Sequence, residues 1–226
     1  MKIIVIAPHP DDETLGCGGT ILRHTKEGEE VHWLIMSTLK SKTKLDKKNM
    51  KIREKQIRNV AKAYNFSSYH QTNFETAKLD TYPKIDLINE VSKYFKKIKP
   101  NLLYIPFPGD IHSDHREVYN ATVACTKSFR YPYISKIRCY EVISETKFNF
   151  TGNNQKSYLT SFQPNLFIDI SPYINKKIKI MKIYKNEIGK HPFPRSEKNI
   201  RAIATFRGAT VAKKYAESFV SLKEII

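Results

Sequence analysis

The first apolar run of the chain, residues 3–7, is short, rich in β-branched residues and ends at Pro8. A run of this length and composition is typical of a strand that is buried on both faces. Similar runs occur at residues 31–36 and 102–105, and the second of these is also followed by proline. Between them, apolar residues recur every three or four positions, which indicates amphipathic helices. The alternation predicts an α/β fold, Rossmann-like, with a mostly parallel sheet and helices on both faces.

The remaining elements follow from the same periodicities. Helices are predicted at 14–28, 50–64, 85–98, 116–127, 172–188 and 196–207, and further strands at 137–143 and 166–170. Glycines at 16, 18 and 19 fit a tight turn before the first helix, and the polar residues 40–51 fit a loop. Because no repeat or linker divides the 226 residues, a single domain over 1–226 is expected.

The chain is strongly basic, with 39 Lys and Arg against 22 Asp and Glu, for a formal net charge of +17. Such a charge is compatible with nucleic-acid binding. The lysines, however, are spread over most of the sequence and no nucleic-acid recognition motif accompanies them. We therefore expect solvated faces and no nucleic-acid partner. The possibility that the positive charge attracts an anionic small substrate is left open.

Targeting and redox signals are weak. The first apolar run is shorter than the roughly 7–15 residues of a signal-peptide core, and no run approaches the roughly 18 residues of a membrane span. The three cysteines, Cys17, Cys125 and Cys139, cannot complete a disulfide framework and lack the CxxC spacing of a structural zinc site. These features predict a reduced, cytoplasmic protein without an integral membrane segment.

Two polar segments carry most of the chemistry. The segment PHPDDE, residues 8–13, follows the first predicted strand, and DIHSDH, residues 110–115, follows the strand at 102–105. Ligands of open α/β sheets bind at the carboxyl ends of the strands. The two segments are therefore predicted to converge, although 115 − 9 = 106 positions separate the first and last histidine.

The residue types of these segments suit a metal centre. Two histidines and one carboxylate form a competent three-ligand site that leaves a fourth position for water. His9, Asp12 and His115 could supply these ligands to Zn²⁺. The same donors also suit Fe²⁺, Mn²⁺ or Co²⁺.

Three polar residues of the two segments remain for acid–base work. A carboxylate beside a metal centre is a natural general base. A second histidine can stabilise an oxyanion or protonate a leaving amine, and a carboxylate can orient it. The residues left for these roles are Asp11, His112 and Asp114. The set fits metal-assisted hydrolysis of an amide.

PHPDDE followed by LGCGG, with the later HSDH, resembles the PIG-L (LmbE-like) family of zinc-dependent N-deacetylases. The C-terminal stretch HPFPRSEKNIRA, residues 191–202, is similar to bacterial members that act on N-acetylglucosaminides, including bacillithiol-pathway deacetylases. The resemblance implies one Zn²⁺ per subunit on His9, Asp12 and His115. It further implies Asp11 as the base, protonated His112 at the oxyanion, Asp114 as the carboxylate partner of His112, and substrate contacts at Arg53, Asp110 and Arg195.

The implied activity is removal of the N-acetyl group from an N-acetylglucosamine-type amino-sugar derivative, with release of acetate. The alternative is the same metal chemistry on another N-acyl amine, such as an antibiotic or a lipid-linked glycan intermediate. The implied partner is thus a small amino-sugar substrate. Because some bacterial members form hexamers, the resemblance also implies a possible homo-oligomer. It does not identify the aglycone of the substrate.

Overall fold

A computed structural model describes residues 1–41, 43–148 and 161–226. Along the chain its elements are β1 (Lys2–Ala7), α1 (Asp12–Lys26), β2 (Glu30–Ile35), α2 (Lys44–Tyr64), β3 (Ser68–Gln71), a 3-10 turn (Leu79–Thr81), α3 (Lys84–Ile98), β4 (Leu102–Pro106), α4 (Ser113–Ala124), β5 (Lys136–Tyr140), β6 (Leu166–Asp169), α5 (Ile174–Met181), α6 (Glu197–Ala209) and β7 (Ala216–Glu224). The predicted alternation of strands and helices is confirmed.

The strands form one seven-stranded sheet in the order β3-β2-β1-β4-β5-β7-β6. Strands β1 to β5 pair in parallel, and β7 runs antiparallel between β5 and β6. The chain builds outward from β1 through β2 to β3 and then returns to place β4 against the other side of β1. This reversal makes the β1–β4 boundary the topological switch point, where open α/β sheets bind their ligands.

Two apolar layers cover the sheet. Alternate residues of β1 point to opposite faces: Ile3 and Val5 pack in one cluster with α1, α2, α5 and α6, whereas Ile4 and Ile6 pack in the other with α3 and α4. Trp33 of β2 is fully buried in the first cluster. Helices on both faces were predicted and are confirmed. No helix in the part of the chain that the structure describes combines the length and apolarity needed to cross a bilayer.

Several local predictions were wrong. Residues 44–51, predicted as part of a loop, belong to α2, because Thr43 accepts a hydrogen bond from the backbone N–H of Asp46 and the Asp46 carboxylate accepts one from the N–H of Thr43. This reciprocal cap offsets the polar composition. The helix predicted at 172–188 is shorter, since α5 ends at Met181. Strands β3 and β7 were not predicted.

The glycines after β1 lie inside helix α1 rather than in a turn. A side chain at Gly16 would lie 2.3 Å from a ring carbon of Tyr140, and one at Gly19 would lie 2.6 Å from Ile170. Glycine is therefore required for the close approach of α1 to the sheet and to the segment after β6. The helix also breaks at Cys17, whose backbone (φ −140°, ψ 23°) is not helical.

Candidate metal centre and active site

The two polar segments converge at the switch point. His9, Asp11 and Asp12 follow β1, and His112 and His115 follow β4. The rings of His9 and His112 lie 4.6 Å apart between centroids, and those of His9 and His115 lie 5.4 Å apart. The convergence expected from parallel topology is thus present.

Asp11 occupies an unusual backbone conformation. Its φ of 141° is rare for a residue with a side chain and costs about 1–3 kcal/mol unless the surroundings impose it. Asp11 precedes the first residue of α1, and its carbonyl accepts the backbone N–H groups of Thr14 and Leu15. The strained turn directs consecutive carboxylates, Asp11 and Asp12, into one buried site, where both are 3% exposed.

Three side chains present metal-ligand atoms to one point. The Nδ1 atom of His9 and the Nε2 atom of His115 each lie 3.3 Å from Oδ2 of Asp12. The ligand atoms of the three residues all lie within 4.8 Å of one another. The Nε2 atom of His115 is buried and has no hydrogen-bond partner among the residues that the structure describes. A buried nitrogen lone pair without a partner is costly, and a coordinated cation would satisfy it.

The other nitrogen of each ring is held by a carboxylate. His9 Nε2 donates to Asp114 Oδ2 at 2.9 Å, and His115 Nδ1 donates to Asp110 Oδ2 at 2.8 Å. When the rings are neutral, as metal binding requires, these bonds fix the tautomers so that His9 Nδ1 and His115 Nε2 carry the lone pairs that face Asp12. Carboxylates in this outer position are the usual companions of metal-bound histidines.

The electrostatics of the site favour a cation. Burial opposes protonation of His9, but hydrogen bonds to Asp114 and Asp12 outweigh it and raise the pKa of His9 to about 9. Burial would also raise the pKa of Asp12, yet the charges of His115 and His9, each with a ring nitrogen 3.3 Å from the carboxylate, lower it. Protons and divalent cations compete for the same ligand atoms. A cluster that holds protons this strongly also attracts a metal ion.

Asp110 does not have the position expected of a substrate-binding residue. It is 1% exposed. One carboxylate oxygen accepts from His115, and the other accepts from the hydroxyl of Thr146 at 2.6 Å. Because both oxygens are engaged inside the protein, Asp110 orients His115 and is not available to substrate.

The expected partnership of Asp114 with His112 also needs correction. The Asp114 carboxylate accepts hydrogen bonds from His9 and from the backbone N–H groups of Ala77 and Leu79, at 2.7 and 3.0 Å. Its link to His112 runs instead through its backbone N–H, which donates to His112 Nδ1 at 3.1 Å.

The protonation state and tautomer of His112 follow from its pKa and from this hydrogen bond to Nδ1. Burial, and then the charges of His9 and His115, lower the pKa of His112 to about 4. The lowered pKa favours the neutral ring, whereas the resemblance implies a protonated one. Because Nδ1 accepts a hydrogen bond, the ring proton is on Nε2. His112 thus presents a neutral N–H donor.

Asp11 contacts Arg195 directly, and Glu187 pairs with both Arg195 and Arg53. Its Oδ2 atom accepts from Arg195 at 2.8 Å, and Arg195 also lies 3.2 Å from Glu187. Arg53 pairs with the same Glu187 and donates to the carbonyl of Pro10 at 3.2 Å. Both arginines expected to contact substrate are at the pocket, but each is already fixed by carboxylates.

The pKa values of the two neighbouring carboxylates, Asp11 and Asp12, shift in opposite directions. Burial, and then the negative charge of Asp12, raise the pKa of Asp11 well above its ordinary value, although Arg195 opposes the shift. The pKa of Asp12 moves the other way. Such divergence is the usual sign that one carboxylate exchanges protons while its neighbour stays ionised.

These groups open onto a pocket of about 220 Å³. Sequence reasoning missed several of its lining residues. They are Thr38, Leu39, Gln71, Thr76, Glu145 and Glu187. They come from the ends of β2 and β3 and from the segments after β5 and α5, and none lies in a recognisable motif. The signal available was topological, because loops at the carboxyl edge of the sheet share one rim.

A sequence profile of the PIG-L family, described as GlcNAc-PI de-N-acetylase, matches residues 4–126. The chain belongs to the PIG-L family. The matched region contains both polar segments and ends just after α4. The family membership expected from these motifs is confirmed.

Relatives of this PIG-L protein extend over the rest of the chain. A diacetylchitobiose deacetylase of Thermococcus kodakarensis is 23% identical over 224 residues, which cover 96% of this chain and 81% of the relative. The structure of N,N'-diacetylchitobiose deacetylase from Pyrococcus horikoshii has a TM-score of 0.77 at 21% identity, covering 98% of this chain and 84% of the other.

The same fold also occurs in an enzyme of another class. GalB of Pseudomonas putida, a 4-carboxy-2-hydroxymuconate hydratase, matches with a TM-score of 0.72 at 14% identity and covers 100% of this chain and 97% of its own. Similarity at this level shows the fold alone. The reaction must be argued from the site.

Proposed function

We propose that this PIG-L protein is a metal-dependent N-deacetylase that hydrolyses the acetamido group of an N-acetylglucosamine-type amino sugar and releases acetate. One observation carries the proposal. His9, Asp12 and His115 converge around a buried, unpartnered histidine nitrogen, directly beside a second carboxylate of raised pKa. The names of the relatives, two of them diacetylchitobiose deacetylases, support the choice of substrate class.

His9, Asp12 and His115 would hold the metal through two nitrogens and one carboxylate oxygen, a donor set that suits Zn²⁺ and is shared by Fe²⁺. A divalent ion held by these residues would lower the pKa of a bound water and polarise an amide carbonyl. Asp110 and Asp114 keep the two imidazoles in the tautomers and orientations that binding needs.

Asp11 acts as the general base in this proposal. Its carboxylate takes a proton from water as the water oxygen attacks the acetamido carbon. Its raised pKa improves proton transfer at neutral pH, and Arg195 holds one oxygen so that the carboxylate keeps its orientation. The C–N bond then breaks, and Asp11 returns the proton to the leaving nitrogen. The products are acetate and a free amine.

His112 stabilises the tetrahedral intermediate as a neutral donor. Its Nε2–H group donates to the oxyanion that develops on the former carbonyl oxygen, while the Asp114 backbone N–H fixes the ring through Nδ1. A preorganised donor of this kind contributes about 2.7–4 kcal/mol in other hydrolases.

The volume of the pocket indicates how much of the substrate it can enclose. About 220 Å³ is below the roughly 300–1,000 Å³ that is common for sites enclosing a whole drug-sized ligand. The pocket suits one sugar unit with its acetamido group, and the remainder of the substrate lies outside it. Arg53 and Arg195 line the pocket, which supports the proposal that they contact the hydroxyls of that unit.

The test is acetate release from a panel of N-acetylglucosamine derivatives, comprising the free sugar, a chitobiose, a nucleotide-linked and a lipid-linked form. The protein is stripped of metal and then reloaded with Zn²⁺. Release that requires metal and disappears in His115→Ala, but persists in His70→Ala, supports the proposal. His70 is a matched control because it is a half-exposed histidine paired with Glu90 outside the site.

Stoichiometric metal binding without release from any panel member would contradict the amino-sugar assignment. It would direct the search to other N-acyl amines. Release by metal-free protein, or release unaffected by His115→Ala, would contradict the metal mechanism itself.

A further inference from the structure

The first three turns of α2 carry a face of unpaired lysines. Helical geometry of about 100° per residue brings Lys44, Lys48, Lys51 and Lys55 within an arc of about 60°, and Lys47 lies beside them. All five side chains are exposed. Among the residues that the structure describes, no carboxylate lies within ion-pair distance of their amines. We call these five residues the lysine face.

This half of α2 packs against very little of the protein. No residue from Lys44 to Lys55 is buried, and the first buried side chain of the helix is Gln56. Of the two acidic residues of the stretch, Asp46 lies on the far side of the helix, and Glu54 borders the lysine face beside Lys47 but lies 4.0 Å from Arg58. Most helices owe their stability to a packed face. This segment reaches the rest of the described protein through Arg53, which pairs with Glu187 and donates to the Pro10 carbonyl, and its lysine face stays exposed.

Apolar side chains flank the lysine face. Leu45 is 66% exposed and Ile52 is 40% exposed. They are seven positions apart and therefore lie on one side of the helix, next to Lys48. Together with the lysines, Ile52 lines a shallow surface concavity. Lysines beside exposed aliphatic side chains form the pattern of helices that lie in the interface of a membrane.

The lysine face also lies close to the pocket along the chain. Thr38 and Leu39, shortly before α2, and Arg53, within it, all line the pocket.

We propose that the lysine face, with Leu45 and Ile52, docks this protein onto the surface of a bilayer that contains anionic phospholipids. The lysines attract the lipid phosphates and carboxylates, and the two aliphatic side chains enter the headgroup region. A second copy of the chain is disfavoured on this face because two lysine faces repel one another. Leu45 and Ile52 gain from an apolar phase, which a nucleic acid does not offer. Docking does not depend on the N-deacetylase chemistry.

The experiment measures vesicle co-sedimentation of the full chain. Vesicles of pure phosphatidylcholine are compared with vesicles that also contain phosphatidylserine, at low and high salt. Binding is expected only with phosphatidylserine and is expected to weaken with salt. Because each lysine near an anionic surface contributes roughly fivefold to partitioning, a variant with Lys44, Lys48, Lys51 and Lys55 all changed to Glu should bind at least about a hundredfold more weakly.

A matched control separates the face from the overall charge of +17. Lys96, Lys97, Lys176 and Lys179 are exposed lysines of α3 and α5, and changing all four to Glu alters the net charge by the same amount. This variant should keep vesicle binding within about threefold of the unchanged protein. The corresponding change to Gln on the lysine face should weaken binding in the same direction and provides a second measurement if the Glu variant folds poorly.

The double variant Leu45→Ser, Ile52→Ser tests the kind of partner. It should weaken vesicle binding about tenfold, because it removes two aliphatic side chains from the interface, and leave binding to double-stranded DNA unchanged. Three results would overturn the proposal: no vesicle binding, equal loss in both four-lysine variants, or DNA binding that depends on the lysine face when vesicle binding does not. Acetate release from a small substrate should persist in the lysine variants, so failure of docking and failure of the proposed activity are distinguishable.

Discussion

Two clusters of buried charge border helix α1, and they differ in how completely they are satisfied. At the start of the helix, His115 Nε2 and Arg195 Nε are buried and have no hydrogen-bond partner in the described part of the chain, and two consecutive carboxylates, Asp11 and Asp12, share one site. At its kink, Lys177 and Glu217 form a buried pair at 2.7 Å. The comparison indicates which cluster is built for a ligand, because proteins rarely leave buried polar atoms unpaired without a functional reason.

The Lys177–Glu217 pair closes the break in α1. Where the helix is interrupted at Cys17, the carbonyl of Leu15 and the N–H groups that follow lose their usual partners. Lys177 Nζ donates to the Leu15 carbonyl at 2.8 Å, and Glu217 accepts from the backbone N–H groups of Gly19 and Thr20 at 2.8 and 2.7 Å. Both charged side chains and the backbone groups at the break have partners here, so this cluster stabilises the fold. Four predictions test the contrast.

The largest expected effect is on catalysis at the unsatisfied cluster. Asp11→Asn should reduce kcat by about 10²–10⁴-fold, because it removes the general base. It should leave the protein folded and able to bind metal, since Asp11 is not among the three ligands and asparagine tolerates a positive φ better than most residues. Steady-state kinetics of the zinc-loaded variant, with metal content and Tm measured alongside, check this. Full turnover would show that another group removes the proton.

A change in the Lys177–Glu217 cluster should lower the free energy of unfolding and leave the metal site unaffected. Lys177→Met leaves Glu217 buried without its counter-charge, and breaking a buried pair in this way costs about 3–5 kcal/mol. Urea titration measures the loss. The fraction that remains folded should bind metal normally. A double-mutant cycle with Glu217→Gln isolates the coupling between the two, and a coupling near zero would contradict the role assigned to the pair.

The carboxylates behind the metal ligands should show an intermediate effect. Asp110→Asn weakens the acceptor that orients His115, and changes of this kind typically reduce metal affinity by about 10–100-fold. Competition with a chromophoric chelator measures the affinity. Asp80→Asn, at an exposed carboxylate, serves as the matched control and should leave affinity unchanged. If the two variants bind metal equally, Asp110 has no role in holding His115.

The sequence predicts the part of the site that depends on strand topology. A buried strand followed by PHPDDE, and another followed by DIHSDH, suffice to bring His9 and His115 to one edge, because parallel strands place their carboxyl ends together. The prediction of three candidate metal ligands required nothing beyond this topology and the residue types.

What the sequence could not supply are pairings between distant side chains. Asp110 precedes a histidine motif and could equally face substrate or His115, and only its burial against Thr146 decides. Glu187 lies between two arginines that are 195 − 53 = 142 positions apart, so its role has no local signature. Strand β7 was not predicted for a similar reason. Its polar residues include Glu217, whose burial depends on partners in α1 and α5 that are distant in sequence.

The smallest expected effect is at a pair that is neither buried nor part of the site. Glu224 lies 2.8 Å from Lys136, and both side chains are about one-third exposed. The hydrogen bond from Lys136 lowers the pKa of Glu224 below 4.5, so its contribution to stability is present above that pH and is lost as the pH falls through the folded-state pKa. Because solvent screens such pairs, Glu224→Gln should lower the free energy of unfolding by less than about 1 kcal/mol at neutral pH. The difference between the variant and the unchanged protein should vanish in acid and shrink in high salt. A loss as large as that of Lys177→Met would show that burial is not what separates the two pairs.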